Sequence, residues 1–337
     1  MAQKRHIKRF LLDNLSHHKK DIINTAVQRF GLSRQAILKH MQTLIKDKQV
    51  IAQGRTKDRV YQLSPKVNFT KEVNIDTNID LSELIKHNIM PHLTILSDNI
   101  CEIVYFSMNA IMSNIKDHSK ATKSYFKLFL NHDDLNIVIA DNGIGIFNNI
   151  RSILKLPSAH IAAIELAKSG LTTDPKNHSG DELYTVFHLF DNIKIESTEI
   201  LLHFDYLDKS WNINQSKQAN GTRIHLKINP SSRRTCLDIF KKIFNSKQKT
   251  LSIPISLTRY GGFDLINSRE QANYLLRNIE DYNVVNFDFK NIDLIGPAFA
   301  DELIRKTNRI NKSIIINWVN SNDMINIMLK RALQNIS

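Results

Sequence analysis

The stretch DLNIVIADNGIGIF, residues 134–147, decides how the middle of the chain folds. Its mostly apolar stretch from Leu135 to Ala140 predicts a buried strand that leads directly into the turn Asp141-Asn142-Gly143-Ile144-Gly145. The segment before it, KSYFKLFL, has the period-two alternation of a second strand, so a hairpin through Asn131-His132-Asp133-Asp134 is expected. A D-x-G-x-G turn after a strand is common, and alone it indicates only a turn.

A polar helix face precedes this hairpin, in the segment MNAIMSNIKDHS at residues 108–119. The surrounding residues predict a buried helix, yet Asn114, Asp117 and His118 fall one turn apart on the face that also carries Ala110. Buried polar groups cost about 1–3 kcal/mol each unless they are satisfied. The pattern therefore predicts that this face binds another group, which satisfies its polar side chains.

Positive charge is concentrated at the N-terminus. Residues 1–60 contain fourteen Lys and Arg against four Asp, a net charge of +10, whereas the whole chain of 337 residues carries +13. A small basic segment on a nearly neutral body is typical of a module that binds a polyanion.

The order of elements in this basic segment predicts the kind of module. Two helices are expected before Gly31-Leu32-Ser33, which supplies a turn and an N-cap for a third helix. A two-stranded ribbon with the basic tip at residues 54–59 follows. The segment resembles the winged helix-turn-helix of bacterial regulators, with the third helix in the major groove and the wing on phosphates. The DNA contacts that this predicts are Ser33, Arg34, Gln35, Lys39, Arg55, Lys57 and Arg59.

Four motifs in the middle of the chain stand in a characteristic order. The polar helix comes first and the D-x-G-x-G strand second, followed by a loop-like segment with His178-Ser179-Gly180-Asp181-Glu182, and then by Asn220-Gly221-Thr222 at the start of a strand. In this order they resemble the GHKL ATP-binding fold of gyrase-type topoisomerases, histidine kinases and MutL-type repair proteins. The resemblance covers about 180 residues.

The resemblance implies a nucleotide site that binds ATP with Mg²⁺. Asn114 would bind the metal ion, and Asp117 would line the same pocket one turn further on. Asp141 would accept a hydrogen bond from the adenine amino group, and Thr222 would support Asp141 beneath the base. The segment from Phe147 to Gly180 would form a lid. The implied nucleotide-binding residues are Asn114, Asp117, Asp141, Gly143, Gly145, Gly180 and Thr222.

Two departures from the family pattern bear on catalysis. Hydrolytic members place a Glu four residues before the metal-binding Asn, where this chain has Ala110, and alanine cannot act as a general base. Glu182 stands where the family tends to have a second Gly, which adds negative charge near the expected phosphates. We therefore expect nucleotide binding with weak hydrolysis or none, and predict no catalytic residue.

From about residue 250 the pattern changes to short strands alternating with amphipathic helices, which suggests a small sheet covered by helices. The run TLSIPISL predicts a strand, and residues 269–282 predict a helix with Ser268-Arg269 at its cap. The run NFDFKNIDLIGPAFADEL resembles a STAS-like domain. Related STAS antagonists are switched by phosphorylation of a hydroxyl at this strand-to-helix turn, but the turn here, residues 294–298, has none. A dimerisation or folding role and a protein-binding role both remain open.

Together these patterns predict a multi-domain α+β protein. Residues 1–65 form a winged helix, 66–248 a GHKL-like α/β sandwich, and 249–337 a STAS-like domain. The leading hypothesis is a DNA-binding transcription regulator in which Mg-ATP acts as a conformational switch. The alternatives are an anti-sigma-type Ser/Thr protein kinase and a DNA-binding scaffold without nucleotide. A homodimer on double-stranded DNA and a protein partner at the STAS-like domain are further expectations.

Other classes of protein are disfavoured by the composition. Two cysteines, Cys101 and Cys236, suit a reducing compartment and cannot form a disulfide framework. The thirteen His lack the partners of a zinc site. No apolar run approaches the roughly 18 residues of a membrane span, and the N-terminus has no secretion-signal pattern. The sequence therefore predicts a cytoplasmic protein with no membrane contact.

Overall fold

A computed structural model gives the fold of the chain. It describes residues 2–15, 17–55, 58–76, 78–131, 133–168, 181–218, 220–244, 250–259, 265–280, 282–309 and 314–335. The protein is multi-domain and belongs to the α+β class. It divides into two compact units, one of Met1–Asn68 with Phe129–Leu135 and the other of Phe69–Leu128 with Asn136–Ser337.

The first unit is built from three helices and a two-stranded ribbon. Gly31, at a left-handed φ of 63°, ends the second helix by donating its N–H to the carbonyl of Val27, and Ser33 caps the third by accepting a hydrogen bond from the amide of Ala36. Apolar side chains from all five elements form one buried core. The elements are α1 (Ala2–Asn14), α2 (Ile22–Phe30), α3 (Arg34–Lys46), β1 (Val50–Gln53) and β2 (Val60–Leu63), and β1 pairs with β2 in antiparallel register.

A seven-stranded sheet forms the centre of the chain. Its order is β3-β4-β5-β9-β6-β7-β8, so β9 enters between β5 and β6 and brings two distant parts of the sequence together. Strands β6 to β9 alternate buried apolar residues with polar ones, the pattern of a sheet with one covered face. The strands are β3 (Val67–Asn74), β4 (Lys123–Leu130), β5 (Leu135–Asp141), β6 (Asn192–Ser197), β7 (Ile200–Asp205), β8 (Ser210–Gln215) and β9 (Thr222–Ile228).

Six helices in the described part of this region also contribute buried side chains to its core. The longest, α5, places Ile100, Ile103, Val104, Met108 and Ile111 on one fully buried stripe, whose spacing of three and four residues is that of a helix face. A short 3₁₀ turn at Met90–Leu93 packs beside it. The helices are α4 (Leu81–Asn88), α5 (Asp98–His118), α6 (Ile146–Ile153), α7 (Ala159–Ala167), α8 (Asp181–Leu189) and α9 (Cys236–Phe244).

The C-terminal segment contains a parallel sheet of order β10-β11-β12. Parallel neighbours require crossover connections, and α10 and α11 occupy them. Ser268 and Gln271 form a reciprocal capping box at the start of α10, and Pro297 is the first residue of α11. The elements are β10 (Thr250–Pro254), α10 (Arg269–Leu275), β11 (Val284–Asp288), α11 (Pro297–Thr307), β12 (Ile315–Val319) and α12 (Asp323–Gln334).

Some element boundaries differ from the sequence-based prediction. The strand predicted over TLSIPISL ends at Pro254, which lacks the N–H that a ladder needs, and a 3₁₀ turn follows at Ile255–Thr258. The helix predicted over residues 269–282 ends at Leu275, just before Asn278 adopts a left-handed φ of 54°. None of the described helices is long and apolar enough to cross a membrane.

The segment predicted as a lid, Phe147–Gly180, is largely packed helix as far as Lys168. Phe147 in α6 and Ile161 and Ala162 in α7 are fully or almost fully buried, so this part is a fixed wall of the core. The remainder of the predicted lid, including Gly180, lies outside the described residues.

Candidate functional site

A cleft opens between the sheet and the helices of the central region. Its volume is about 950 Å³, counting the solvent space at its mouth. Apolar side chains form most of its walls and a small number of polar groups converge in it, the composition common in sites for small organic ligands. The lining residues are Ile111, Asn114, Ile115, His118, Ser119, Ile139, Asp141, Gly145, Ile146, Asn149, Ile150, Leu166, Glu182, Leu183, Tyr184, Thr222 and Ile224.

Asp141 is the most buried carboxylate of the cleft. It is the last residue of β5 and only 8% exposed. The amide of Gly143 donates to its Oδ1 at 2.7 Å, and Thr222 hydrogen-bonds to it through both backbone and side chain. Burial raises the pKa of Asp141, while these hydrogen bonds oppose the rise. The result is a fixed acceptor at the floor of an apolar cleft.

Thr222 connects Asp141 to the next element of the wall. Its hydroxyl oxygen accepts a hydrogen bond of 2.9 Å from the amide of Ile146, in the first turn of α6. A hydroxyl can accept one hydrogen bond while donating another. The same side chain can therefore bond to the Asp141 carboxylate and hold the start of α6 against β9.

Three glycines permit the close backbone approach around Asp141. A Cβ on Gly143 would meet the carbonyl of Ser119 and the Asp141 side chain. Gly221 has a φ of +67°, and a Cβ there would overlap the Asp141 carbonyl. Gly145 has a φ of +85° and faces the hydroxyls of β6 and its turn. The turn around Asp141 therefore requires glycine for steric and conformational reasons.

Helix α5 forms a second wall, and the face that it turns to the cleft is rotated from the predicted one, away from Asp117 and towards Ile111 and Ile115. Asn114 and His118 line the cleft together with Ile111 and Ile115. Asp117 is exposed and is not part of the lining. At 3.6 residues per turn, Asp117 lies on the other side of Asn114 from Ile111 and Ile115. The prediction that Asp117 lines the pocket is not met by the described geometry.

The amide of Asn114 is oriented by its own helix. Its Nδ2 donates to the carbonyl of Ala110 at 2.8 Å, one turn earlier. Ala110 is 8% exposed and contributes no chemistry of its own, and Asn109 beside it bonds back to the carbonyl of Tyr105. Among the described lining residues the only carboxylates are Asp141 and Glu182, so α5 brings no carboxylate to the cleft.

The charge of the lining bears on which ligand fits. Asp141 and Glu182 are acidic, and the described lining contains neither Lys nor Arg. The apolar walls and the fixed acceptor would suit a planar base, whereas phosphates would need a cation to offset both acidic groups. A Mg²⁺ bound to such phosphates would supply that charge, and Mg²⁺ prefers oxygen ligands such as the Asn114 amide oxygen.

The residues that the structure describes form no metal site of carboxylates, His and Cys. No three such side chains of the described residues are grouped so that they could hold a metal ion. The Mg²⁺ role predicted for Asn114 is compatible with this result, since Mg²⁺ is commonly held by few protein ligands together with phosphate oxygens.

The residues predicted to contact DNA are exposed wherever they are described. Arg34, Gln35 and Lys39 project from α3 away from the core, and Arg34 donates to Asn24 Oδ1 at 2.5 Å. Ser33 serves as the N-cap of α3, which gives it a structural role. Arg55 and Arg59 are exposed at the ribbon, with the Arg59 guanidinium 5.7 Å from the Tyr61 ring centre. Lys57 lies outside the described residues.

Sequence reasoning missed several cleft residues. Asn149 follows the glycine turn on α6, and Tyr184 stands on α8 beside the predicted loop motif. Asn149 could have been found by placing a helix after Gly145, since Ile146 and Ile150 would then share its face with it. The sequence gives no comparable local signal for Leu166, Tyr184 or Ile224.

Comparison with known proteins adds no assignment: no protein-family model matches the chain, and no curated protein matches it in sequence.

Proposed function

We propose that this protein is a DNA-binding regulator that binds an adenine nucleotide, with Mg²⁺, in the cleft around Asp141. The proposal includes the resemblances described above: a winged helix in residues 1–65, a GHKL-like domain in residues 66–248 and a STAS-like domain in residues 249–337. Nucleotide binding would favour one of two conformations of the chain. A ligand shifts such an equilibrium only by the difference in its affinity for the two states.

The observation that carries this proposal is the environment of Asp141. Its carboxylate is 8% exposed at the floor of an apolar cleft and is fixed by the Gly143 amide and by Thr222. A buried acceptor of fixed orientation suits the exocyclic amino group of adenine, and the isoleucines around it suit the faces of the base. The GHKL resemblance implies the same role for the same residue.

Binding is proposed without efficient turnover. Ala110 stands where hydrolytic GHKL enzymes place the Glu that acts as their general base. None of the described lining residues on α5 is a carboxylate. The cleft still offers Asn114 to a metal ion and His118 beside it. We therefore expect a switch driven by occupancy, with ATP hydrolysis slow or undetectable.

The DNA part of the proposal depends on α3 and its charge. Gln35 and Lys39 are exposed on the side of the helix opposite the buried Ile37 and Met41, and Arg34 is exposed in its first turn. A helix with one buried face and one polar, basic face can enter the major groove, where Arg and Lys contact guanine or phosphate. The net charge of +10 in residues 1–60 favours a polyanion as the partner.

Titration calorimetry tests the nucleotide site. Mg-ATP, Mg-ADP and Mg²⁺ alone are titrated into the full chain and into Asp141→Ala. Wild type should bind the nucleotides, and the substitution should weaken binding about 10-fold to 150-fold, the range for hydrogen bonds to a charged group. Asp208→Ala removes an exposed carboxylate on the β7–β8 turn and should leave the affinity unchanged. Absence of heat with every nucleotide would refute the nucleotide site.

Fluorescence anisotropy with duplex DNA tests the DNA site. Affinity should fall steeply with salt, and Lys39→Ala should reduce the slope of log K against log [salt] by about one, since one phosphate contact is lost. Lys241→Ala, an exposed lysine on α9, is the matched control and should not change the slope. Deletion of residues 1–65 should abolish binding, and persistence of binding after that deletion would contradict the proposal.

A protein kinase of the anti-sigma type is the second candidate. The observation in its favour is that Ala110 stands in place of the usual general base. Phosphoryl transfer to a protein hydroxyl relies mainly on positioning and metal ions, so it tolerates the loss of this base better than hydrolysis does. Incubation with labelled Mg-ATP and lysate separates the two functions. A labelled protein that is lost with Asp141→Ala would support the kinase, and absence of label would leave the regulator.

A further inference from the structure

Helix α12 carries large apolar side chains on its outer face. Ile325, Leu329 and Ala332 are at most 3% exposed and pack inward. On the opposite side Met324 is 52% exposed and Ile327 is 57% exposed. Single exposed apolar residues are ordinary on protein surfaces, so this stripe alone identifies no partner.

Two charged side chains on the same face indicate what kind of partner it fits. Asp323 lies four residues before Ile327 and Arg331 four residues after it, which places them about 6 Å on either side of it along the helix axis. Both are exposed. Neither forms an ion pair with any residue that the structure describes. From its N-terminal end to its C-terminal end, the face is therefore acidic, then apolar, then basic.

Such a face is complementary to itself. If a second copy of α12 lies antiparallel across the first with the two Ile327 side chains in contact, Asp323 of each copy meets Arg331 of the other. The same arrangement places Met324 of each copy beside the aliphatic stem of Arg331 of the other. A parallel arrangement would oppose like charges, and antiparallel helices also align their dipoles favourably. A contact that uses the same patch on both subunits closes on itself as a two-fold dimer.

We propose that the outer face of α12 is a homodimer interface, occupied by α12 of a second copy of this chain. The helix of 12 residues is only about 18 Å long. A contact between two such helices is smaller than the roughly 800 Å² per partner of a standard stable interface. The dimer is accordingly weak and dissociates at low protein concentration. The inference does not depend on what the cleft binds.

Sedimentation velocity on the full chain, from low to high micromolar concentration, tests the interface. Wild type should shift from monomer to dimer as concentration rises. Ile327→Asp should abolish the shift, because it would bury two unpaired carboxylates against each other. Leu207→Asp, at a site 76% exposed on the β7–β8 turn, is the matched control and should dimerise like wild type. A wild type that stays monomeric throughout would overturn the proposal.

Charge reversal distinguishes the interface from a local effect on the helix. Asp323→Arg and Arg331→Asp should each weaken the dimer at least about tenfold, because each brings like charges together. The double reversal restores both pairs and should restore the dimer, and a mixture of the two single variants should form a heterodimer. Both reversals also oppose the helix dipole, so a purely local effect would make the double variant the worst. That result, or two single reversals without effect, would overturn the proposal.

Discussion

Lys168 and Glu165 form an ion pair in the interior of the protein. The Lys168 Nζ lies 3.0 Å from the Glu165 Oε1, and the two side chains are only 5% and 3% exposed. The same ammonium donates to the carbonyl of Arg277 at 3.1 Å, and Asn278 approaches the second Glu165 oxygen at 3.4 Å. The pair thus ties the end of α7, whose Leu166 lines the cleft, to the segment after α10.

The buried pair predicts an asymmetric response to mutation. Lys168→Met would leave Glu165 buried without its main partner and should lower the free energy of unfolding by about 3–5 kcal/mol. The double variant Glu165→Leu with Lys168→Met removes both charges and should recover much of that loss. Urea denaturation measures both. Equal losses in the single and double variants would show that the charge pairing is unimportant.

Asp141 predicts a pH dependence of stability. Because burial raises its pKa in the folded protein, the folded state holds this proton more tightly than the unfolded chain does. The stabilising contribution is full below the unfolded pKa and is lost as pH rises through the folded pKa. The unfolding free energy of wild type minus that of Asp141→Asn should therefore decrease from acidic to neutral pH. A difference that is constant or rises with pH would contradict the assignment.

Two glycines with similar backbone angles should respond differently to alanine. Gly221, at a φ of +67°, would place its new Cβ on the carbonyl of Asp141, whereas Gly31, at +63°, has nothing within 4 Å of that position. Gly31→Ala should cost only the left-handed strain of about 1–2 kcal/mol. Gly221→Ala adds a backbone displacement and should cost about 1–3 kcal/mol more. Denaturation of both variants checks the order, and equal losses would argue against close packing at Gly221.

Glu182 tests whether phosphates lie in the cleft. It lines the cleft and should repel them, so Glu182→Gln should strengthen Mg-ATP binding roughly threefold by removing one charge. Adenosine, which has no phosphate, should bind equally to both forms. Glu270→Gln, an exposed site on α10, controls for the change in net charge. Similar gains for adenosine and ATP would show that Glu182 acts on the base or on the fold.

Local signals made a large part of the fold predictable from the sequence. Gly31 and Ser33 mark the end of α2 and the start of α3 because a left-handed C-cap and a hydroxyl N-cap are local devices. The strand before Asp141 was predictable from its apolar run, and Pro297 from its preference for the first turn of a helix. Each of these features depends on residues within a few positions of one another.

Contacts between distant segments could not be predicted in the same way. Asp117 and His118 are neighbours in sequence, but only the packing of α5 decides that His118 faces the cleft. The described part of the predicted lid consists of α6 and α7, which are held in the core by the burial of Phe147 and Ile161. The contacts of Lys168 and Glu165 with residues 277–278 have no signal in either segment alone.

Most helices and strands, several of their caps and the concentration of basic charge at the N-terminus are predictable from the chain alone, since they follow from propensity, periodicity and composition. The tertiary structure alone decided that Gly221 and Thr222 lie against Asp141, about 80 residues away in the chain. The physical reason is the insertion of β9 between β5 and β6. That sheet order depends on the burial of side chains from the whole region, so no single segment encodes it.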